Sequence, residues 1–115
     1  MGGRQNNSAV FDRADFLERV EGDMELAGQI VELFFQDAAE NMEKINQAMD
    51  RQDLPAVSRA AHSLKGASAN LSGLRVRQIA ADLEAAARKG ELKKAQSILV
   101  VLEEALAQFQ KALED

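Results

Sequence analysis

The chain contains no cysteine, no tryptophan and no tyrosine, and only one proline and one histidine in 115 residues. Each shortage removes a class of function. Without cysteine there is no disulfide, no thiolate metal site and no thiol nucleophile. A lone histidine excludes multi-histidine metal sites. No apolar run approaches the ~18 residues of a membrane-spanning helix, and no signal-peptide pattern opens the chain. Positive charge is also in short supply: 14 Lys and Arg stand against 19 Asp and Glu, a net charge of −5. That balance argues against broad electrostatic binding to nucleic acid.

What is present favours helices. Apolar residues make up 46% of the chain but aromatics only 4%, and Ala and Leu are plentiful. Ala, Leu, Glu, Gln, Lys and Arg lose little entropy on coiling. No segment alternates with period two, so no strand is expected. The length suits one domain with its own core. Residues 1–10 read as a polar, flexible lead-in or linker, and 11–115 as the folded domain.

The helical periodicity resolves into five segments. A short first helix runs from about Asp12 to Val20 and ends at Glu21-Gly22-Asp23. Asp23 can cap the second helix, which reaches about Met49 with Ala27, Val31, Phe34, Ala38, Met42, Ile45 and Met49 on one face. Leu26, Ile30, Leu33 and Phe35 widen that stripe near its start and are expected to cover the first helix through Phe11, Phe16, Leu17 and Val20. At ~1.5 Å per residue this helix is ~40 Å long.

Asp53 is the next capping candidate, with Pro55 in the first turn, where a missing N–H costs nothing. The third helix then buries Leu54, Val57, Ala61, Leu64, Ser68 and Leu71, and Ser72-Gly73 breaks it. The fourth buries Val76, Ile79, Ala80, Leu83 and Ala86 or Ala87, and stops at Arg88-Lys89-Gly90. Cations in the last turn followed by a Gly able to turn left-handed make good stop chemistry. The fifth aligns Ala95, Ile98, Leu99, Leu102, Leu106, Phe109 and Leu113. Short connections make consecutive helices antiparallel neighbours. The expected fold is therefore all-α, an antiparallel up-down four-helix bundle with an additional short N-terminal helix lying across it.

One stretch carries chemistry: Arg59-Ala60-Ala61-His62-Ser63-Leu64-Lys65-Gly66. His62 is ~200° around the helix from Leu64, so an inward Leu64 turns His62 to solvent. Its helical neighbours are Ser58, Arg59, Lys65 and Gly66. A glycine inside a helix costs about 1 kcal/mol relative to alanine. Gly66 therefore serves either clearance for something bulky approaching the imidazole or close packing of helices. A lone exposed histidine is most often an ordinary surface residue. Two observations weigh against that here.

From Arg51 to Arg77 there are five basic residues (Arg51, Arg59, Lys65, Arg75, Arg77) and one acid, Asp53, a local charge of +4 within an acidic protein. Such a neighbourhood attracts a phosphoryl group or an acidic partner pocket. The second observation is geometric. His62 lies eleven residues before Gly73 and Glu84 eleven after it. A helical hairpin pivoting at Gly73 thus brings the two to similar heights. A carboxylate there can accept from Nδ1–H of His62 and leave the Nε2 lone pair free as a nucleophile. The alternative partner for Glu84 is Arg88, four residues on.

His62-Ser63-Leu64-Lys65-Gly66 resembles the His-x-Leu-Lys-Gly signature of histidine phosphotransfer (HPt) domains. Small residues follow through Ala67-Ser68-Ala69-Asn70-Leu71, Leu83-Glu84 falls at the family's spacing, and the likeness runs from about Phe11 to Leu113. The resemblance implies a phosphoryl carrier, not by itself a kinase, that relays phosphate between receiver-domain aspartates in two-component signalling. It implies phosphorylation of His62 at Nε2, with Lys65 stabilising the phosphoryl oxygens, Gly66 giving access and Glu84 holding Nδ1. Ser58, Arg59 and Ala69 become candidate docking residues for the partner.

No cofactor or metal of its own is implied, Mg²⁺ being supplied by the receiver domain. The expected partners are response-regulator receiver domains and, further, a histidine kinase, with no nucleic acid, no membrane contact by this domain and a monomeric state. The expected setting is cytoplasmic, as a free-standing shuttle, the terminal domain of a hybrid sensor kinase or the phosphorylated domain of a chemotaxis-type kinase. The chain departs from the pattern at Ser72, where many members have Gly, and the register of His62 against Glu84 turns on that position. The competing reading is a non-catalytic helical-bundle interaction module in which His62 is incidental.

Overall fold

The computed structural model describes residues 12–71 and 73–114. The lead-in, Phe11 and Ser72 lie outside the described residues. The elements are α1 (Arg13–Arg19), α2 (Met24–Asp50), α3 (Leu54–Asn70), α4 (Leu74–Arg88) and α5 (Leu92–Glu114), with no strand among the described residues.

Each start and stop has a local cause. Carboxylates of Asp12, Asp23 and Asp53 accept from the N–H groups of Asp15, Leu26 and Ala56, at 3.0, 3.0 and 3.2 Å, so α1, α2 and α3 all begin on an aspartate cap. Pro55 sits in the first turn of α3, as its missing donor allows. Beyond α4, Gly90 takes a φ of +75°, the left-handed conformation that lets the chain reverse into α5.

The helices pack in chain order, α2 on α3, α3 on α4 and α4 on α5. α5 returns to α2 through an aromatic cluster that closes the bundle. Phe109 lies 5.4 Å from Phe34 and 5.8 Å from Phe35, and the Phe34 and Phe35 rings meet edge to face at 4.9 Å. The longest dimension, 42 Å, is essentially the length of α2. The core is one continuous cluster running through Ile45, Val57, Ala61, Leu64, Leu83, Ala95, Leu102 and Phe109. Among the described residues, no helix is long and apolar enough to cross a membrane.

α1 lies against the open end of the bundle. Phe16 and Val20 are buried, and the guanidinium of Arg13 donates to the carbonyl of Ala112 at 3.0 Å, tying α1 to the end of α5. The widened stripe on α2 is only partly used. Ile30 and Phe35 pack against the core, but Leu26 and Leu33 stay 41% and 60% exposed. The reason is angular. Ala27 and Phe34 point inward, and a residue one step earlier on a helix is rotated by ~100°.

Gly73 has an unexceptional φ of −82°, so backbone freedom does not explain it. A Cβ placed there would fall 2.9 Å from Cε2 and Cζ of Phe109, a fully buried ring, and 3.4 Å from the carbonyl oxygen of Ser68. The hairpin between α3 and α4 therefore turns directly against the Phe109 ring and needs a residue without a side chain. The N–H of Gly73 donates to Ser68 at 2.9 Å and fixes how α4 leaves α3.

Candidate functional site

Burial of Leu64 sets the orientation of α3, and the consequence for His62 is the expected one. Leu64 is fully buried and the His62 side chain is 66% exposed. Ser58, Arg59, Lys65, Gly66 and Ala69 share its face at steps of three, four and seven residues, Arg59 exposed and Ser58 and Ala69 half-buried.

Glu84 reaches this face from α4. Val76, Ile79, Ala80, Leu83, Ala86 and Ala87 form the buried stripe of that helix, and Glu84 stands at its edge toward α3. Its side chain is 11% exposed. One carboxylate oxygen, Oε2, lies 2.8 Å from His62 Nδ1, and the other, Oε1, accepts from Lys65 Nζ at 2.8 Å. The register inferred from Gly73 thus holds. Glu84 does not turn back to Arg88; both its oxygens are taken by α3.

The Lys65 contact was not anticipated from sequence. Its signal was available, because Lys65 follows His62 by one helical turn on the same face, within reach of a carboxylate that meets His62. The hydrogen bond from Lys65 is the main influence holding the Glu84 carboxyl below its ordinary value of 4.5, opposed by burial and reinforced by the His62 hydrogen bond, by the Lys65 charge and by that of His62 when the ring is protonated. Glu84 is therefore a carboxylate at neutral pH and can only accept. It follows that Nδ1 of His62 carries the proton in this contact. In the neutral ring Nε2 is then a free lone pair on the exposed edge. The arrangement can support nucleophilic attack by Nε2, with the positive charge that develops on the ring compensated by Glu84.

Gly66 borders the histidine, and a Cβ built there meets nothing within 4 Å. Close packing of helices is thereby excluded as its reason. The space over Gly66 is open surface beside His62. Among the described residues no group of three or more His, Asp or Glu side chains is placed to hold a metal ion.

The model of the Hpt domain family matches residues 29–112, most of the chain. Among solved structures, histidine-containing phosphotransfer protein B from Pseudomonas aeruginosa PAO1 superposes with a TM-score of 0.82 at 23% identity, over 92% of this chain and 96% of that one. At that identity the likeness carries the fold. No curated protein matches the chain.

Proposed function

The chain belongs to the Hpt domain family, whose work is histidine phosphotransfer within a phosphorelay, and from that premise we propose that Nε2 of His62 is the atom that carries the phosphoryl group. The observation that carries this reading is an exposed imidazole whose Nδ1 is held 2.8 Å from a nearly buried carboxylate.

The proposed step begins with an aspartyl phosphate on a receiver domain. The Nε2 lone pair attacks phosphorus in line, the bond from phosphorus to the aspartate oxygen breaks, and the aspartate leaves as a carboxylate with its electron pair. The ring becomes a phosphoimidazolium. Its charge is met by Glu84 through the retained Nδ1–H. Reversal delivers the group to a second receiver, so no proton need enter or leave the site.

Lys65 is the candidate for the phosphoryl oxygens. Its ammonium rests on Glu84, and its flexible stem lets it turn to the phosphoryl group once that group arrives. Gly66 leaves room for the partner surface, and Ser58, Arg59 and Ala69 contribute to docking on the same face. Mg²⁺ belongs to the acidic pocket of the receiver. The domain acts as a carrier without kinase chemistry of its own, since the sequence holds no phosphate-binding glycine-rich loop.

The test is transfer from a phosphorylated receiver domain. Wild-type protein is expected to acquire an acid-labile, alkali-stable label, and His62→Gln none. Equal labelling of the variant, or an unlabelled wild type across a broad receiver panel, would overturn the assignment.

A further inference from the structure

A groove of about 280 Å³ runs between α2 and α3 beside the His62 face. Lys44, Arg51 and Arg59 line it together with Asn41, Gln47 and Ser63, and no acid does. The small side chains of Ala56 and Ala60 keep it open on the α3 side. None of the three cations forms an ion pair among the described residues. Glu43 accepts from Gln47 at 3.3 Å, and Asp53 is engaged in capping α3. In a chain of net charge −5, three unpaired cations converging on one groove are a concentration of unsatisfied positive potential.

The groove borders the face of α3 that carries His62. Arg59, one helical turn before His62, and Ser63, next to it in sequence, line one end, while Arg51 marks the other end at the α2–α3 turn. From Ser63 to Ala56 the α3 side spans ~10 Å at ~1.5 Å per residue. A partner that brings an aspartate pocket to His62 and extends toward α2 lays the neighbouring part of its surface over these cations.

We propose that this groove receives surface carboxylates of the receiver domain, lying ~10 Å to one side of its phosphoacceptor aspartate, and so sets which receivers are bound. The proposal rests on the phosphotransfer reading of His62. Lys44, Arg51 and Arg59 act on encounter and affinity and do not touch the reacting atoms. Charges at the rim of an interface govern association rate and salt dependence far more than the chemical step.

The experiment compares two triple charge reversals of equal size. One is Lys44→Glu, Arg51→Glu, Arg59→Glu. The other is Lys93→Glu, Lys94→Glu, Lys111→Glu, exposed positions on α5 away from the site. Thermal melts establish that both fold. Initial transfer rates from a phosphorylated receiver are then measured against receiver concentration and salt. Reversal in the groove is expected to raise KM about tenfold or more, with the rate at saturation nearly unchanged and a flatter salt dependence, while the α5 variant follows wild type.

Equal shifts in both variants would reduce the effect to net charge and overturn the groove assignment. So would an unshifted KM in the groove variant while wild type still takes up label, a result that leaves the role of His62 standing. Competition by inorganic pyrophosphate, lost in the groove variant with the receiver KM unmoved, would give the groove to a small anion and equally overturn the proposal. A wild type that never acquires label is the separate failure of the phosphotransfer reading.

Discussion

At the scale of single residues, Glu84 joins two tasks: it fixes the protonation of His62 and anchors Lys65. Glu84→Ala removes both contacts. A hydrogen bond to a charged group contributes about 1.5–3 kcal/mol. If most of that bears on the phosphorylated ring, transfer slows by roughly 10- to 100-fold, while far-UV circular dichroism stays unchanged. Glu84→Gln, which keeps an amide oxygen able to accept from Nδ1–H, is expected to fall between wild type and Glu84→Ala in single-turnover transfer. An unchanged rate in Glu84→Ala would detach the carboxylate from the chemistry.

The depressed Glu84 carboxyl also sets a pH dependence. Its folded value lies below the ordinary 4.5, so the stability it contributes is fully present above that value and is lost as pH falls through the folded one. The stability advantage of wild type over Glu84→Gln, read from urea midpoints, should therefore shrink as pH falls below the ordinary carboxylate value. At Gly66, two substitutions separate fold from access. Gly66→Ala is expected to stabilise the helix by up to about 1 kcal/mol, seen as a higher Tm, because nothing obstructs a Cβ there. Gly66→Gln should remain folded but slow transfer from the receiver.

At the scale of elements, the hairpin of α3 and α4 decides whether His62 meets Glu84 at all. Its turn is shaped by contact with the Phe109 ring rather than by an unusual backbone angle. Gly73→Ala should cost about 1–3 kcal/mol by overpacking, read as a lower urea midpoint. It should also weaken transfer, because a displaced turn shifts α4 against α3. Much of this element-level organisation was legible beforehand. Asp23 and Asp53 announced the starts of α2 and α3, and Gly90 the end of α4, since capping depends on a few adjacent residues. The exposure of Leu26 and Leu33 is not legible in the sequence, because periodicity shows only that a face is apolar, and a neighbouring helix decides whether it is covered.

Across the whole molecule, Phe109 is the point where α2, α5 and the α3–α4 turn meet. It touches Phe34 and Phe35 and backs Gly73. Phe109→Ala should cost about 3–5 kcal/mol, a large part of the ~5–15 kcal/mol that holds a domain together. Calorimetry should show one lowered transition instead of local fraying. Transfer should fall with it at temperatures where the variant is still mostly folded, since the turn that sets the His62–Glu84 register loses its backing.

The sequence by itself determined the helices, the caps at Asp23 and Asp53, the stop at Gly90, most of the inward stripes and the exposure of His62, because all of these follow from spacings of a few residues. It also narrowed Glu84 to two partners, His62 through equal distances from Gly73 and Arg88 through helical spacing. Only the tertiary structure decided between them, and only it assigned Lys65 to the second carboxylate oxygen and left three cations unpaired in the groove between α2 and α3. These are contacts between helices. They depend on how far apart and at what rotation two helices pack, which the Phe109 contact at the turn and the buried alanines set in three dimensions.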